Sequence, residues 1–319
     1  MLRTPVCDLL GIDVPIIGAP FGPWDQVELA AAISGAGALG SVGTALRTVP
    51  ELQAQWRRLR ELTDRPFAIN HTVRPFDEEA FAATLEFGPA AISFHLGVPA
   101  DLIVRAHEAG TLWIQQVMNR GQALEAVDAG ADVIVAQGGE AGGNSGWVST
   151  MVLVPQVIDV AGEVPVIAAG GIADGRGLAA ALALGAQGAS LGTRFLAATE
   201  MPIAAEWKQR IVAADALDAV KVVNSERVMP PFNRPGGPAE PRALTTPLTT
   251  QLREHPEWVD PMVMGARLRE ALLAGRGDEY LPFTGQSAGL IDDVLPAAEI
   301  ISRVMAEAEE ALSRVRAAP

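Results

Sequence analysis

The stretch VPVIAAGGIADGRGLAAALALGAQGASLGTRF, residues 164–195, decides how this chain folds. Two short apolar runs, VPVIAAGG and GASLGTRF, flank an Ala- and Leu-rich segment that stops at Gly185. Runs that are apolar on both faces, too short for helices and bounded by Gly or Pro read as buried parallel strands. The segment between them has helix composition and a glycine at its C-terminal stop. The unit is strand, helix, strand, and TRFLAATE (193–200) is expected to open a short helix.

Outward from this unit the same beat recurs. Further strands are expected at PIIGAP from residue 15, ALGSVG from 38, FAINHTV from 67, AISFHLG from 91, TLWIQQV from 111 and DVIVAQGG from 132. Amphipathic segments at 26–36, 51–62, 78–86, 100–109, 122–129 and 176–184 alternate with them, and Gly110 and Gly130 mark helix stops. Eight strands, each followed by a helix, within about 200 residues predict an α/β protein, a closed TIM (β/α)8 barrel. An open doubly wound sheet competes, but it places its Gly-rich fingerprint after the first strand. Here the Gly-Gly pairs follow the sixth and seventh strands.

Three regions are expected: the barrel over 1–200, an excursion over 201–285, and a segment over 286–319 that returns to the barrel. Within the excursion, MPPFNRPGGPAEPRALTTP (229–247) is too rich in Pro and Gly to be one regular element. It is expected to be partly helical and to cover or flank the barrel mouth. From Leu290 to Arg316, apolar residues at three- and four-residue spacing predict a closing helix.

Composition removes several chemistries. The chain has 319 residues, 49% of them hydrophobic, and a net charge of −14, which argues against nucleic acid as a partner. The uncharged run 178–193 is interrupted by glycines, so it reads as helix, turn and strand rather than a membrane span. Asp8 and Asp13 interrupt any signal-peptide core, and a cytoplasmic protein is expected. The one cysteine, Cys7, precedes the first strand and reads as a buried small apolar residue. Both lysines, Lys208 and Lys221, follow the eighth strand, so no barrel strand offers a Schiff-base amine. The four histidines, His71, His95, His107 and His255, lack metal-ligand spacing, and no metal is expected.

What remains is glycine. Gly170 and Gly171 end the seventh strand, and Gly192 and Thr193 end the eighth, where barrels bind phosphate. Backbone N–H groups and the Thr193 hydroxyl form an anion site without a basic residue. A third loop, AQGGEAGGNSG (136–146), holds five glycines. Taken alone, it is either a surface for a flat ligand or a plain connection.

In order along the chain, PIIGAPFG (15–22), SFHLG (93–97), AQGGEAGG (136–143), residues 164–195 and GQSAGLIDDVLPAAEII (285–301) resemble the nitronate monooxygenase (2-nitropropane dioxygenase) family of flavin-dependent barrels. Flavin-dependent enoyl-thioester reductases share that scaffold. The resemblance implies FMN, its phosphate on Gly170, Gly171, Gly192 and Thr193 and its ring against Ala19, Pro20 and Phe21. Asn70 and Gln116 would meet the ring's polar edge, Gly142 belongs to the same cofactor surface, and Gln286 and Ser287 would close over it.

One residue departs from the pattern. Family members carry histidine in the EAGGH part of the third loop, and this chain carries Asn144. An amide cannot act as a general base, although it can donate a hydrogen bond to a nitro or carbonyl oxygen. His71 and His95, at the ends of the third and fourth strands, are the candidates to replace it as proton carriers. His107 and His255 read as surface residues, and Glu140 as a residue that orients its loop. The expected activity is oxidation of alkyl nitronates, or related carbanion-like small molecules, with molecular oxygen. One alternative is an NAD(P)H-dependent reductase of enoyl-thioesters or conjugated carbonyls; another is a flavin-binding module without the family activity. No membrane partner is expected, and a homodimer is left open.

Overall fold

Parallel strands that are apolar on both faces must be covered on both, and this chain covers one face by closing the sheet on itself. In the computed structural model, which describes residues 2–22, 24, 26–72, 76–229 and 239–317, eight parallel strands form the barrel. They are β1 (Ile16–Gly18), β2 (Gly40–Gly43), β3 (Phe67–Thr72), β4 (Ala91–His95), β5 (Leu112–Val117), β6 (Val133–Gln137), β8 (Val166–Ala169) and β9 (Gly188–Leu191). Their order is β1-β9-β8-β6-β5-β4-β3-β2. The seam between β1 and β2 closes through the bridge Ile17↔Leu39 and the bond from the Gly18 N–H to the Leu39 carbonyl (2.9 Å). The TIM barrel read from the sequence is the observed architecture.

Alternation along each strand sorts the side chains. Ala68, Ala91, Ile114, Val133, Val135 and Ile167 fill the interior together with Val6, Cys7 and Leu10 of helix α1 (Pro5–Leu10). This helix plugs the N-terminal end of the barrel and buries Cys7 there. Alternate residues such as Phe67 and Ile69 pack outward against α2 (Val27–Gly35), α3 (Val49–Leu62) and α4 (Glu78–Phe87). The outer ring continues through α5 (Ala100–Glu108), α6 (Arg120–Asp128), α7 (Thr150–Ala161) and α8 (Gly175–Ala183). The helix expected after the eighth strand is a single turn, α9 (Thr193–Leu196).

The excursion contains α10 (Ala205–Ala213), α11 (Pro247–Glu254) and α12 (Pro261–Leu273), and it also contains strands that the composition did not suggest. β10 (Ala219–Lys221) pairs antiparallel with β11 (Glu240–Leu244), and β11 pairs in turn with β7 (Gly143–Ser145). The Gly-rich loop after β6 is thus the edge of a second sheet and not a plain connection. Within 229–247, residues 230–238 lie outside the described residues.

The closing helix, α13, runs Ala297–Ala317 and starts later than the apolar spacing from Leu290 predicts. Pro296 holds Leu295 extended, and Leu295 instead bridges to Ala198. α13 packs on α8 and α2. Its acidic face is in part engaged: Glu307 accepts from the Gly175 N–H (2.9 Å) and Glu309 from the Leu2 N–H (3.0 Å). No helix among the described residues is long and apolar enough to cross a membrane.

Where α8 meets α13, a Cβ on Gly175 would stand 2.3 Å from the Ala308 nitrogen and 2.5 Å from the Val304 carbonyl oxygen. Backbone cannot swing aside as a side chain can. Gly175→Ala is therefore expected to lower stability by about 1–3 kcal/mol through overpacking, measured by urea or thermal unfolding. An unchanged unfolding midpoint would contradict the tight helix contact.

Candidate active site

The alternation that builds the apolar interior also builds the site. Ala68 faces inward on β3, so Asn70, two residues on, faces inward at the C-terminal end. The same count places Ser93 and His95 inward on β4, Gln116 on β5 and Gln137 on β6. Asn70 Nδ2 donates to Ser93 Oγ (2.9 Å) and Gln116 Nε2 to Gln137 Oε1 (3.0 Å). Asn70, His95, Gln116 and Gln137 floor an open cavity of about 250 Å³ at the barrel mouth.

Ala19, Pro20 and Phe21 form one wall, and Gly142, Asn144, Gly170, Gly171, Gly192 and Thr193 form the opposite one. Met229, Leu272 and Phe283 of the excursion and Ser287 of the returning segment complete the rim. Of the residues expected at the site, only Gln286 does not border the cavity; its N–H donates to the Glu140 carbonyl (2.9 Å). Gln137, Ser190 and Trp24 border it without having been singled out. The inward count from Val133 and Val135 was the available signal for Gln137. Trp24 is placed by tertiary packing on Trp207 (ring centroids 5.3 Å apart).

At the strand ends expected to take a phosphate, Gly170 and Gly171 have φ of 100° and 73°. A Cβ on Gly170 would lie 3.0 Å from the Gly138 carbonyl oxygen and from Thr150 Oγ1. Thr193 Oγ1 accepts from the Gly285 N–H (2.8 Å), which leaves its own proton for a ligand. Arg194 is not part of this cradle: it is buried, and ion-pairs with Asp293 at 2.9 Å, fastening the returning segment.

The Gly-rich loop is held from three directions. The Glu140 carboxylate accepts from the Thr150 N–H (2.9 and 3.0 Å). Arg242, on β11, donates to the Gly139 carbonyl through Nε (3.1 Å) and Nη2 (2.8 Å). Lys221, on β10, places Nζ near the Ser145 carbonyl (2.8 Å), Ser145 Oγ (2.7 Å), the Gly146 carbonyl (2.8 Å) and the Glu240 carbonyl (3.0 Å). Burial and the nearby Arg242 pull Lys221 down to about 7, opposed by Glu240 and Glu140. Sequence reasoning missed both cations; their apolar settings, AVKVV and PRALT, were the only hint of burial.

The two histidines separate. His95 faces the cavity, and burial pushes it down to about 4, only partly opposed by a backbone hydrogen bond at His71. His71 borders the cavity, but its ring follows the outward parity of Phe67 and Ile69. The ring expected to be a proton carrier thus points to α4 rather than into the mouth. The ring is 2% exposed, lies edge-on to Phe81 of α4, and has Nε2 2.9 Å from Thr84 Oγ1. Burial brings it to about 4 as well, with Asp77 opposing. His107 contacts Asp132 (2.9 Å) and His255 stacks on Trp258 (3.8 Å) at the surface.

Asn144 sits on β7 opposite Pro241 and borders the cavity. Its Oδ1 is buried with no hydrogen-bond partner among the described residues. The described cavity border carries no Asp, Glu, Lys or Arg.

Residues 3–85 and 76–307 match the nitronate monooxygenase family. The chain belongs to the nitronate monooxygenase family. It is 32% identical to the nitronate monooxygenase of Paraburkholderia phytofirmans, over 98% of this chain and 97% of that one. It is equally 32% identical, over 96% of both chains, to the (3aS,4S,5R,7aS)-5-hydroxy-7a-methyl-1-oxo-octahydro-1H-indene-4-carboxyl-CoA dehydrogenase of Mycobacterium tuberculosis. Its fold matches FabK from Thermotoga maritima with a TM-score of 0.88 at 36% identity, covering 99% of each chain. It also matches the nitroalkane oxidase of Streptomyces ansochromogenes, with a TM-score of 0.81 at 28% identity over 97% and 99%. As a member of this family the protein is a flavin oxidoreductase. The site suits a flavin on its own terms: a two-glycine cradle that side chains would obstruct, and an uncharged floor of amides beside it.

A histidine buried in its neutral form destabilises the fold when acid charges it. Unfolded histidine takes up a proton near 6.5, whereas His71 and His95 do so near 4 in the folded protein. Between these values the unfolded chain binds more protons, so stability falls as pH drops across the window. His71→Gln is expected to flatten that part of the melting temperature–pH curve relative to wild type. Parallel curves would show that His71 is not held neutral.

Proposed function

We propose that this protein is an FMN-dependent oxidoreductase that oxidises alkyl nitronates or related carbanion-like substrates, with molecular oxygen as electron acceptor. The observation that carries this reading is the chemistry of the cavity border. Among the described residues it holds no carboxylate or amine, and its two histidines stay neutral down to about pH 4. A group with so low a pKa is a weak base at neutral pH. The substrate that suits such a site has already lost its proton.

Gly170, Gly171, Gly192 and Thr193 would hold the FMN phosphate, and Ala19–Phe21, Asn70 and Gln116 would border the ring. When bound, the flavin supplies the redox chemistry. The protein's part is to bind, orient and exclude water. The Asn144 amide can donate to a substrate oxygen, where a fixed dipole in a dry site is worth more than in water. Met229, Leu272 and Phe283 give the entrance an apolar rim that keeps bulk water from the ring. Neutral His95 completes the floor as a hydrogen-bonding group.

A second reading, reduction or dehydrogenation of conjugated carbonyls or acyl thioesters with a nicotinamide partner, is favoured by the full-length similarity to FabK and to the mycobacterial CoA-ester dehydrogenase. Anaerobic mixing separates the two. Bleaching of the FMN-loaded protein by a preformed alkyl nitronate is expected, and bleaching by NAD(P)H alone would favour the second. Bleaching by neither would leave a flavin-binding module. The neutral nitroalkane is expected to react roughly 100-fold or more slowly, the usual contribution of a general base; equal rates would contradict the baseless site. Gly170→Ala should weaken FMN retention by about tenfold, from strain at positive φ, read by equilibrium titration of the flavin-free protein.

A further inference from the structure

The Lys221 side chain takes no part in the proposed chemistry above, yet four oxygens gather around its ammonium. It comes from β10 in the excursion and does not border the cavity. Its Nζ lies within 3.0 Å of four oxygens: the carbonyls of Ser145, Gly146 and Glu240, and Ser145 Oγ. Two of those carbonyls belong to the residues that directly follow Asn144. The ammonium also lies 5.3 Å from the Trp147 ring centroid. Residues 145–147 thus wrap around one charge.

This arrangement limits how Asn144 can move. β7 has only three residues and one strand neighbour, β11, and Asn144 stands opposite Pro241. Proline offers no N–H, so the ladder is weak at this position. The loop itself is glycine on both sides, at Gly142, Gly143 and Gly146, and Gly143 has a φ of 62°. A backbone this permissive does not hold a side chain to a fraction of an ångström by itself. Arg242 fastens the loop at Gly139 and Lys221 fastens it at Ser145 and Gly146, on either side of Asn144. The charged groups facing Lys221 are Arg242, Glu240 and Glu140.

We propose that Lys221 is a positioning residue that fixes the approach of Asn144 to substrate by tying the glycine-rich loop to the excursion sheet. The assignment rests on the functional reading above, in which Asn144 meets the substrate. It also gives the excursion a chemical purpose beyond roofing the mouth.

The test is a double-mutant cycle on the FMN-loaded protein with a preformed alkyl nitronate, followed by anaerobic stopped-flow bleaching. Saturating rate and half-saturation concentration are measured separately. Lys221→Met and Asn144→Ala are each expected to slow the saturating rate by about tenfold or more, as misplacement of a contacting group does. The double variant should be no slower than Asn144→Ala, because Lys221 acts through Asn144. Lys221→Gln, which keeps two donors, should recover part of the loss. Fully additive losses, or an unaltered rate in Lys221→Met, would overturn the proposal.

A second arm needs no substrate. Amide exchange over 143–146 should accelerate in Lys221→Met and in Lys221→Gln while the β6 amides stay protected; unchanged protection over 143–146 overturns the assignment. If wild type is not bleached by the nitronate, the functional reading fails, and this arm alone decides whether Lys221 holds the loop.

Discussion

In a closed parallel barrel, each strand sends alternate side chains to the inside, and everything at the mouth of this protein follows from that count. The residues that fill the lower interior, Ala68, Ala91, Ile114 and Val133, are small or branched and apolar. Two to four positions further along the same strands the inward residues are Asn70, Ser93, His95, Gln116 and Gln137. A slip of one residue would bury these amides against the outer helices and expose Phe67 or Ile69 to the cavity. The register across β3, β4, β5 and β6 is therefore as much a constraint on chemistry as on stability.

The second organising feature is that, among the described residues, no carboxylate, amine or guanidinium borders the mouth of an acidic protein. The wall proposed to take the phosphate offers main-chain N–H groups and a threonine hydroxyl, and the nearby arginine, Arg194, is committed to Asp293. Charge is used one layer further out. Arg242 and Lys221 each direct two hydrogen bonds to main-chain carbonyls of the glycine-rich loop. Five glycines leave the loop's backbone permissive, and cations from a distant part of the chain grip its carbonyls.

Much of this was legible in the residues. Strand and helix positions followed from apolar runs and glycine stops, and fourteen of the fifteen residues expected at the site border the cavity, Gln286 being the exception. Their convergence on one cavity has a physical origin: a parallel strand buried on both faces has a strong local signature, and its C-terminal end is where barrel chemistry collects. His71 shows where such reasoning stops. Being at the end of a strand was visible, but which side of the strand it took depended on counting from an interior residue, and it went to α4.

What the sequence determined by itself is the barrel, its glycine-bearing strand ends and the absence of a lysine amine or cysteine thiol on the barrel strands, because each is written in local composition and spacing. What only the tertiary structure decided is how the excursion meets the barrel. The pairing of β7 with β11, and the reach of Lys221 and Arg242 to carbonyls roughly 75 to 103 residues away, leave no periodic trace. A buried cation is placed by the oxygens that gather around it, and those oxygens belong to backbone, which every residue carries alike.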